Sequence, residues 1–432
     1  MRQKPLKILL CWLACGIVCC LALTGCRGAE PASAPAAESL PPAGAEAAPL
    51  PTEPESVPEQ PAIAAESRPE QPATEPIVEA EPATQPQLPI EPIRGPGCVN
   101  LVAVGDNLLH LPIMNGCKTA GGYDFTPLYK QVKELVSAAD LAFVNQEGPI
   151  GGAGSVPSGY PLFNAPAAAG LALTATGFNI INQANNHALD QGTQGLLGTI
   201  AFWQEQPGAV VIGVNASEQE RARVKVVEVQ GYRFAWLAYT YGANGQPLEH
   251  SYLLNLIDKD AMAEDIAKAR AVADAVIVSI HWGEEYQQEP SPQQRELAQF
   301  LADQGVMLVI GHHPHVAQPL EWLQGKDGHP TLVMYSLGNF ISSQNRRYTM
   351  LEGMLRVTFR ADADGLAIAS CGVVPLVMHY ERGYQAYAVY PLRAYTEDLA
   401  RRHYVNQLDK PVSMAYFSNL AREVWGGYCD NS

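Results

Sequence analysis

Gly311-His312-His313-Pro314-His315-Val316-Ala317-Gln318 puts three histidines within four residues, directly behind the apolar run Val306-Met307-Leu308-Val309-Ile310. That run has the length and composition of a buried strand. A strand that ends in glycine and then delivers three imidazoles predicts a metal site. Imidazole ligates zinc, iron, manganese or nickel, and a His-x-His step turns two rings toward one centre. Pro314 fixes one torsion between His313 and His315 and stiffens the loop. One or two histidines here would read as a solvated turn; three of the chain's ten favour ligation.

Working outward, other strand-like runs end the same way. The run 99–104 leads into Gly105-Asp106, and 141–145 into Asn145-Gln146-Glu147. The run 178–183 precedes Asn185-Asn186-His187 and Asp190, and 274–280 stops at His281-Trp282-Gly283. Further strands are predicted over 209–214, 224–230, 233–239 and 331–336, and helices over 128–139, 167–176, 192–206, 260–273 and 292–304. Alternating strands and helices predict an α/β domain, and the hairpin turning at Gln230-Gly231-Tyr232 predicts mixed sheets. Loops after the carboxyl ends of strands in such sheets gather at one edge. Five of them here supply a carboxylate, amide or imidazole, which suits a dinuclear centre with nitrogen and oxygen ligands. Singly, Asp106, Asn186 and Asp190 read equally well as turn or cap residues, and His281 as a satisfied core histidine. Their recurrence after strand upon strand favours the site.

The chain opens with Arg2, Lys4 and Lys7 ahead of an apolar run, Ile8 to Leu23. This reads as a secretory leader over residues 1–25, ending in Leu23-Thr24-Gly25-Cys26, which looks like a bacterial lipobox with Cys26 as the lipidated residue. An uncleaved membrane anchor is the alternative. Both place the rest of the chain outside the cytoplasm, tethered to the cell membrane. Residues 26–97 read as a disordered linker, with 17 of the chain's 34 prolines and twelve glutamates against three arginines. The linker carries −9 and the leader +3, leaving −10 of the chain's −16 on residues 98–432. So acidic a domain argues against nucleic acid as partner. Cys98, Cys117, Cys371 and Cys429 contain no Cys-x-x-Cys pair, which argues against a cysteine zinc site and leaves disulfides open.

Six blocks in order carry a family resemblance: Val104-Gly105-Asp106, Asn145-Gln146-Glu147, Ala184 to Asp190, Ser279 to Tyr286, Gly311 to Pro319, and Tyr335-Ser336-Leu337-Gly338-Asn339-Phe340. They resemble the CapA family associated with poly-γ-glutamate capsule synthesis, itself similar to calcineurin-like metallophosphoesterases. The resemblance implies a CapA-like domain over 98–380, followed by a C-terminal extension over 381–432. It also implies a four-layer α/β/β/α sandwich with mixed sheets and two divalent metal ions, with manganese, iron and zinc not distinguished. By position, Asp106 would bind the first metal, Glu147 would bridge, Asn186 and His281 would bind the second, His313 would join them, and His315 would return to the first. His187 with Asp190 would form the acid–base pair. The wider superfamily's opening Asp-x-His is absent here, which makes His110 a candidate substitute ligand. Asn145 and Glu285 are further candidates, and Arg346 and Arg347 are candidate substrate contacts or else a solvated pair.

Three functions are expected from this. The resemblance implies a part in synthesis, export or retention of an anionic polymer of the poly-γ-glutamate type, with a membrane capsule-synthesis complex as partner. Two clamped metals suit phosphoester hydrolysis in the envelope equally well. A polymer-binding lipoprotein whose metals hold carboxylates without turnover is the third.

Overall fold

The computed structural model describes residues 88–151, 156–363 and 365–430. The leader, Cys26 and the linker through residue 87 lie outside these. Four parallel strands open the described chain: β1 (Cys98–Leu108), β2 (Leu141–Glu147), β3 (Ile180–Asn182) and β4 (Val210–Ile212). Helices α1 (Ala167–Thr176) and α2 (Gly192–Gln204) connect them. Helix α1 stops at Gly177, whose φ of 118° suits glycine and little else.

The expected hairpin is present as β5 (Lys225–Val229) and β6 (Tyr232–Thr240), paired antiparallel. It begins a second sheet, continued by β7 (Ala275–His281), β8 (Leu308–His312), β9 (Leu320–Gln324) and β10 (Pro330–Met334). Strands β6, β7, β8 and β10 run parallel, with antiparallel β5 and β9 at the edges. Helices α3 (Lys259–Val272) and α4 (Pro292–Asp303) link them, the latter started by a reciprocal capping box between Ser291 and Gln294.

The chain then returns to the first sheet. β11 (Asn339–Ile341) lies parallel beside β1, and β12 (Leu351–Asp362), β13 (Gly365–Glu381) and β14 (Gln385–Pro391) extend it antiparallel. The first sheet thus has eight strands and the second six.

Strand alternation sorts the second sheet's side chains into two cores. Phe234, Trp236 and Ala238 of β6, Ala275 and Ile277 of β7, and Leu308 and Ile310 of β8 face the first sheet. Ala235, Leu237, Tyr239, Val276, Val278 and Val309 face the other way, onto Ile266 and Ala269 of α3 and Leu297 and Leu301 of α4. Phe143 stacks on Trp236 at 5.9 Å, and Phe234 meets Phe359 at 5.1 Å, joining the sheets face to face. Each such pair contributes about 0.5–1.5 kcal/mol beyond its burial. With α1 and α2 packed on the first sheet's core through Leu173, Ile200 and Trp203, the chain adopts the expected four-layer α/β/β/α arrangement.

Several local expectations shift. The helix expected over 128–139 is two short turns, Thr126–Tyr129 and Lys133–Ser137. The break falls beside Tyr129, whose hydroxyl is held 2.7 Å from Asn107 Oδ1 and whose ring stacks on Phe340. Tertiary anchoring outweighs helix propensity there. The end of the expected linker is docked: Pro89 O accepts from Cys371 N at 3.0 Å, and Ile93 N donates to Thr358 Oγ1 at 3.1 Å. Residue 380 lies inside β13, and beyond it α5 (Met414–Trp425) buries Phe417, Ala421 and Trp425 in the same core. Cys98, Cys117 and Cys371 are free thiols.

Candidate metal centre

Strand register builds the first half of the site. Asp106 of β1 stands opposite Asn145 of β2, which stands opposite Asn182 of β3. Asn182 Nδ2 donates to Asn145 Oδ1 at 2.8 Å, and Asn145 Nδ2 donates to Asp106 Oδ1 at 2.7 Å. This amide ladder fixes the carboxylate and leaves Oδ2 toward the histidines. Gly105 permits the bend before Asp106, since a Cβ there would lie 1.8 Å from the Gly338 carbonyl that accepts from Asp106 N.

The second half comes from β7 and β8, each ending one or two residues later than expected, so that His281 and His312 lie within the sheet. Past them His313 and His315 take left-handed backbone angles, φ 98° and 57°, which side-chain-bearing residues rarely adopt. Such strain persists only where surroundings enforce it, and Asn339 Nδ2, donating to the His315 carbonyl at 3.1 Å, is one of the enforcers. Gly311 lets the strand pass beneath Tyr335: a Cβ would sit 2.0 Å from the Tyr335 carbonyl, which already accepts from Trp282 Nε1 at 2.9 Å. Gly311→Ala is therefore expected to destabilise the fold by about 3 kcal/mol, the upper end of overpacking costs. The readout is a lower denaturation midpoint at unchanged m-value.

The two halves meet. His315 Nδ1 lies 3.0 Å from Asp106 Oδ2, and His312 Nδ1 lies 3.5 Å from Asp106 Oδ1. Glu147 Oε1 stands 3.8 Å from His281 Nε2 and 4.0 Å from His315 Nε2. Asn186 Oδ1 is 2.9 Å from His281 Nε2, and the His281 and His313 rings are 4.9 Å apart. Asp106, Glu147 and His315 offer ligand atoms within 4.8 Å of one another, and so do Glu285, His313 and His315.

The buried carboxyls and imidazoles here are strongly perturbed. Burial, then the Asp106 charge, push the Glu147 carboxyl well above its usual range. Burial and the His315 charge bring His313 down to about 3, and burial and His313 hold His281 well below the ordinary imidazole value. Burial would raise Asp106, but hydrogen bonds from His312 and His315 outweigh it and hold that carboxyl well below the usual range. Both Glu147 oxygens, His281 Nδ1 and His313 Nδ1 are buried without a hydrogen-bond partner. Orphaned donors and acceptors this deep are costly unless something binds them, and imidazole with carboxylate suits divalent metal. The residues present fit the divalent metal ions that the resemblance implies.

Beside this cluster His187 Nδ1 is 2.8 Å from Asp190 Oδ2, which also accepts from Phe163 N at 2.7 Å. Asn244 Nδ2 also reaches the His187 ring, 3.4 Å from Nδ1 and 3.5 Å from Nε2. The Phe163 ring packs edge-on against His187 at 4.8 Å.

Two expected residues, His110 and Arg347, do not join. His110 is turned into the fold, with Nδ1 3.2 Å from both Leu108 O and Ser343 N and its ring edge-on to Phe163. Burial lowers it to about 4, and it belongs to neither ligand group. Arg347 turns toward the C-terminal segment, its guanidinium 4.4 Å from the Tyr416 ring and its backbone N–H on Asp409 Oδ2. Arg346 is exposed. Asn145 acts behind Asp106, through the amide ladder. Conversely, sequence reasoning counted His312 in the histidine run but gave it no individual role, and gave none to Tyr241, Asn244 or Asn339. Tyr241, 4.8 Å from the His313 ring, follows a strand whose end carries neither histidine nor carboxylate, so nothing flagged it.

Residues 100–344 match the family described as bacterial capsule synthesis protein PGA_cap. The chain belongs to this family. Every member of the cluster, from Asp106 to Asn339, lies inside the match. This PGA_cap member is 30% identical over 190 residues to the PGA biosynthesis protein CapA of Bacillus subtilis (strain 168), covering 44% of this chain and 49% of that one. It is 32% identical over 212 residues to the capsule biosynthesis protein CapA of Bacillus anthracis, covering 48% and 49%. The chain spans about half the length of these curated relatives. Among solved structures, the calcineurin-like phosphoesterase YfkN from Bacillus subtilis overlays with TM-score 0.39 at 13% identity, covering 64% of this chain and 90% of that one. A hypothetical protein from Thermus thermophilus overlays with TM-score 0.39 at 15% identity, covering 64% and 99%.

Proposed function

We propose that this PGA_cap member acts outside the cytoplasmic membrane, lipid-anchored through Cys26, in synthesis, export or retention of an anionic poly-γ-glutamate-type capsule polymer. Its working part is the centre formed by Asp106, Glu147, Asn186, His281, His313 and His315. The observation that carries this reading is the coincidence of the family match, 100–344, with the whole cluster of mutually facing donors, of which Glu147, His281 and His313 carry buried atoms without a hydrogen-bond partner. A membrane capsule-synthesis complex is the partner this role calls for. The described residues hold no helix long and apolar enough to cross a membrane; the apolar run Ile8 to Leu23 lies outside them.

Divalent cations held there would supply Lewis-acid polarisation of a substrate oxygen and an activated water. The chain's own residues do the rest. Asp106, fixed by Asn145, and Glu147 hold negative charge between the imidazoles. His187, oriented by Asp190, carries the proton that a leaving group needs. A γ-amide and a phosphoester both pass through an oxyanion that such a site stabilises, so the His187–Asp190 pair also supports an envelope phosphoester hydrolase.

The full chain, loaded with divalent metal, is expected to shorten poly-γ-glutamate on a sizing gel, or to retain it, while leaving bis(p-nitrophenyl) phosphate intact. Cleavage of the phosphodiester with no effect on or binding of the polymer would assign the site to phosphoester hydrolysis. Fatty-acid labelling lost in Cys26→Ala checks the anchor; labelling that persists in that variant contradicts it.

A further inference from the structure

Glu285 is the only exposed member of the two ligand groups; every other member is buried. Its position is built rather than incidental. The segment Trp282-Gly283-Glu284-Glu285-Tyr286 is tied at both ends to the histidine loop, Trp282 N donating to His312 O at 3.1 Å and Tyr286 N to Pro314 O at 2.8 Å. Glu285 therefore lies between two main-chain bonds to the stretch that carries His313 and His315. Two left-handed positions shape the turn. Gly283 has φ 84°, and a Cβ of ordinary chirality there would press within 2.6 Å of the Gln294 side chain. Tyr286 has φ 66°, a conformation that costs a tyrosine on the order of 1 kcal/mol and is kept nonetheless. His313 Nδ1 nearby is buried and unpartnered.

We propose that Glu285 is a third carboxylate ligand of the centre, closing the His313–His315 side toward solvent. This rests on the metal-centre reading above. Donor atoms no more than 4.8 Å apart surround a point about 2.8 Å from each, so bonds of roughly 2.0–2.2 Å need only a small inward shift. Charge favours it too, since two divalent cations bring +4 against −2 from Asp106 and Glu147, and Glu285 offsets one more unit. His110, the other candidate for an extra ligand, has its Nδ1 against main chain and belongs to neither group. As the solvent-facing donor, Glu285 is the ligand that an incoming anionic oxygen meets first.

The test is a Mn²⁺ titration of the metal-stripped full chain, with free Mn²⁺ followed by electron paramagnetic resonance. Wild type is expected to bind two equivalents. Glu285→Gln should keep the fold, being an exposed substitution, and weaken one equivalent by at least the ~10–100-fold that losing even an outer-shell partner costs. Glu284→Gln and His110→Gln should bind as wild type does. Wild-type binding by Glu285→Gln would overturn the assignment alone, as would a loss in His110→Gln without one in Glu285→Gln. No Mn²⁺ bound by wild type would overturn both this assignment and the metal centre itself.

Discussion

Glu147→Ala is expected to take the bound metal from two equivalents to almost none, the largest effect of any single substitution in the cluster. Glu147 Oε1 faces His281 Nε2 on one side and His315 Nε2 on the other, so one carboxylate serves both halves of the site. Neither oxygen has another partner. The same substitution should stabilise the metal-free protein. In the apo state the buried carboxyl sits beside Asp106, and removing an uncompensated polar group relieves a cost of roughly 1–3 kcal/mol. Metal should then raise the melting point of wild type, by about 2.7 kcal/mol of stabilisation at a hundredfold excess over the dissociation constant, and leave Glu147→Ala unmoved. Calorimetric melts of both proteins with and without Mn²⁺ check both signs. Equal metal-induced shifts would remove Glu147 from the centre.

His187→Ala is expected to keep its metal and its fold while losing about two to four orders of magnitude in turnover, the usual worth of a general acid or base. Its imidazole is held by Asp190 at 2.8 Å and edged by Phe163, not by another ligand group. Asp190→Asn should lose rate through the same group, because an amide no longer dictates which ring nitrogen carries the proton. Steady-state rates beside metal analysis of the same preparations separate the roles. Metal loss parallel to rate loss in His187→Ala would make it a ligand instead.

Much of this site could be read from residue order, because strand ends are where a parallel sheet collects its polar groups. Asp106, Glu147, Asn186, His281, His313 and His315 each follow or close a strand, and folding brings them together. What stayed hidden depends on contacts with distant parts of the chain. Arg347 looks like a free cation until Tyr416 and Asp409 arrive from the C-terminal segment. His110 looks like a spare ligand until Ser343 and Phe163 close on it. The helix over 128–139 has adequate propensity, yet the Tyr129 contact with Asn107 belongs to the tertiary fold and outweighs it. Tyr241 and Asn244 carry no pattern at all; they matter because one loop leans over His313 and His187.

The proposed dinuclear centre lies where β1, β2, β7 and β8 converge. Anomalous scattering from crystals of the protein grown with Mn²⁺, collected at the manganese edge, tests it most directly. The prediction is two peaks, both against Glu147, one on the Asp106–His315 side and one on the His281–Asn186–His313 side. Peaks elsewhere, or none among these residues, would contradict it.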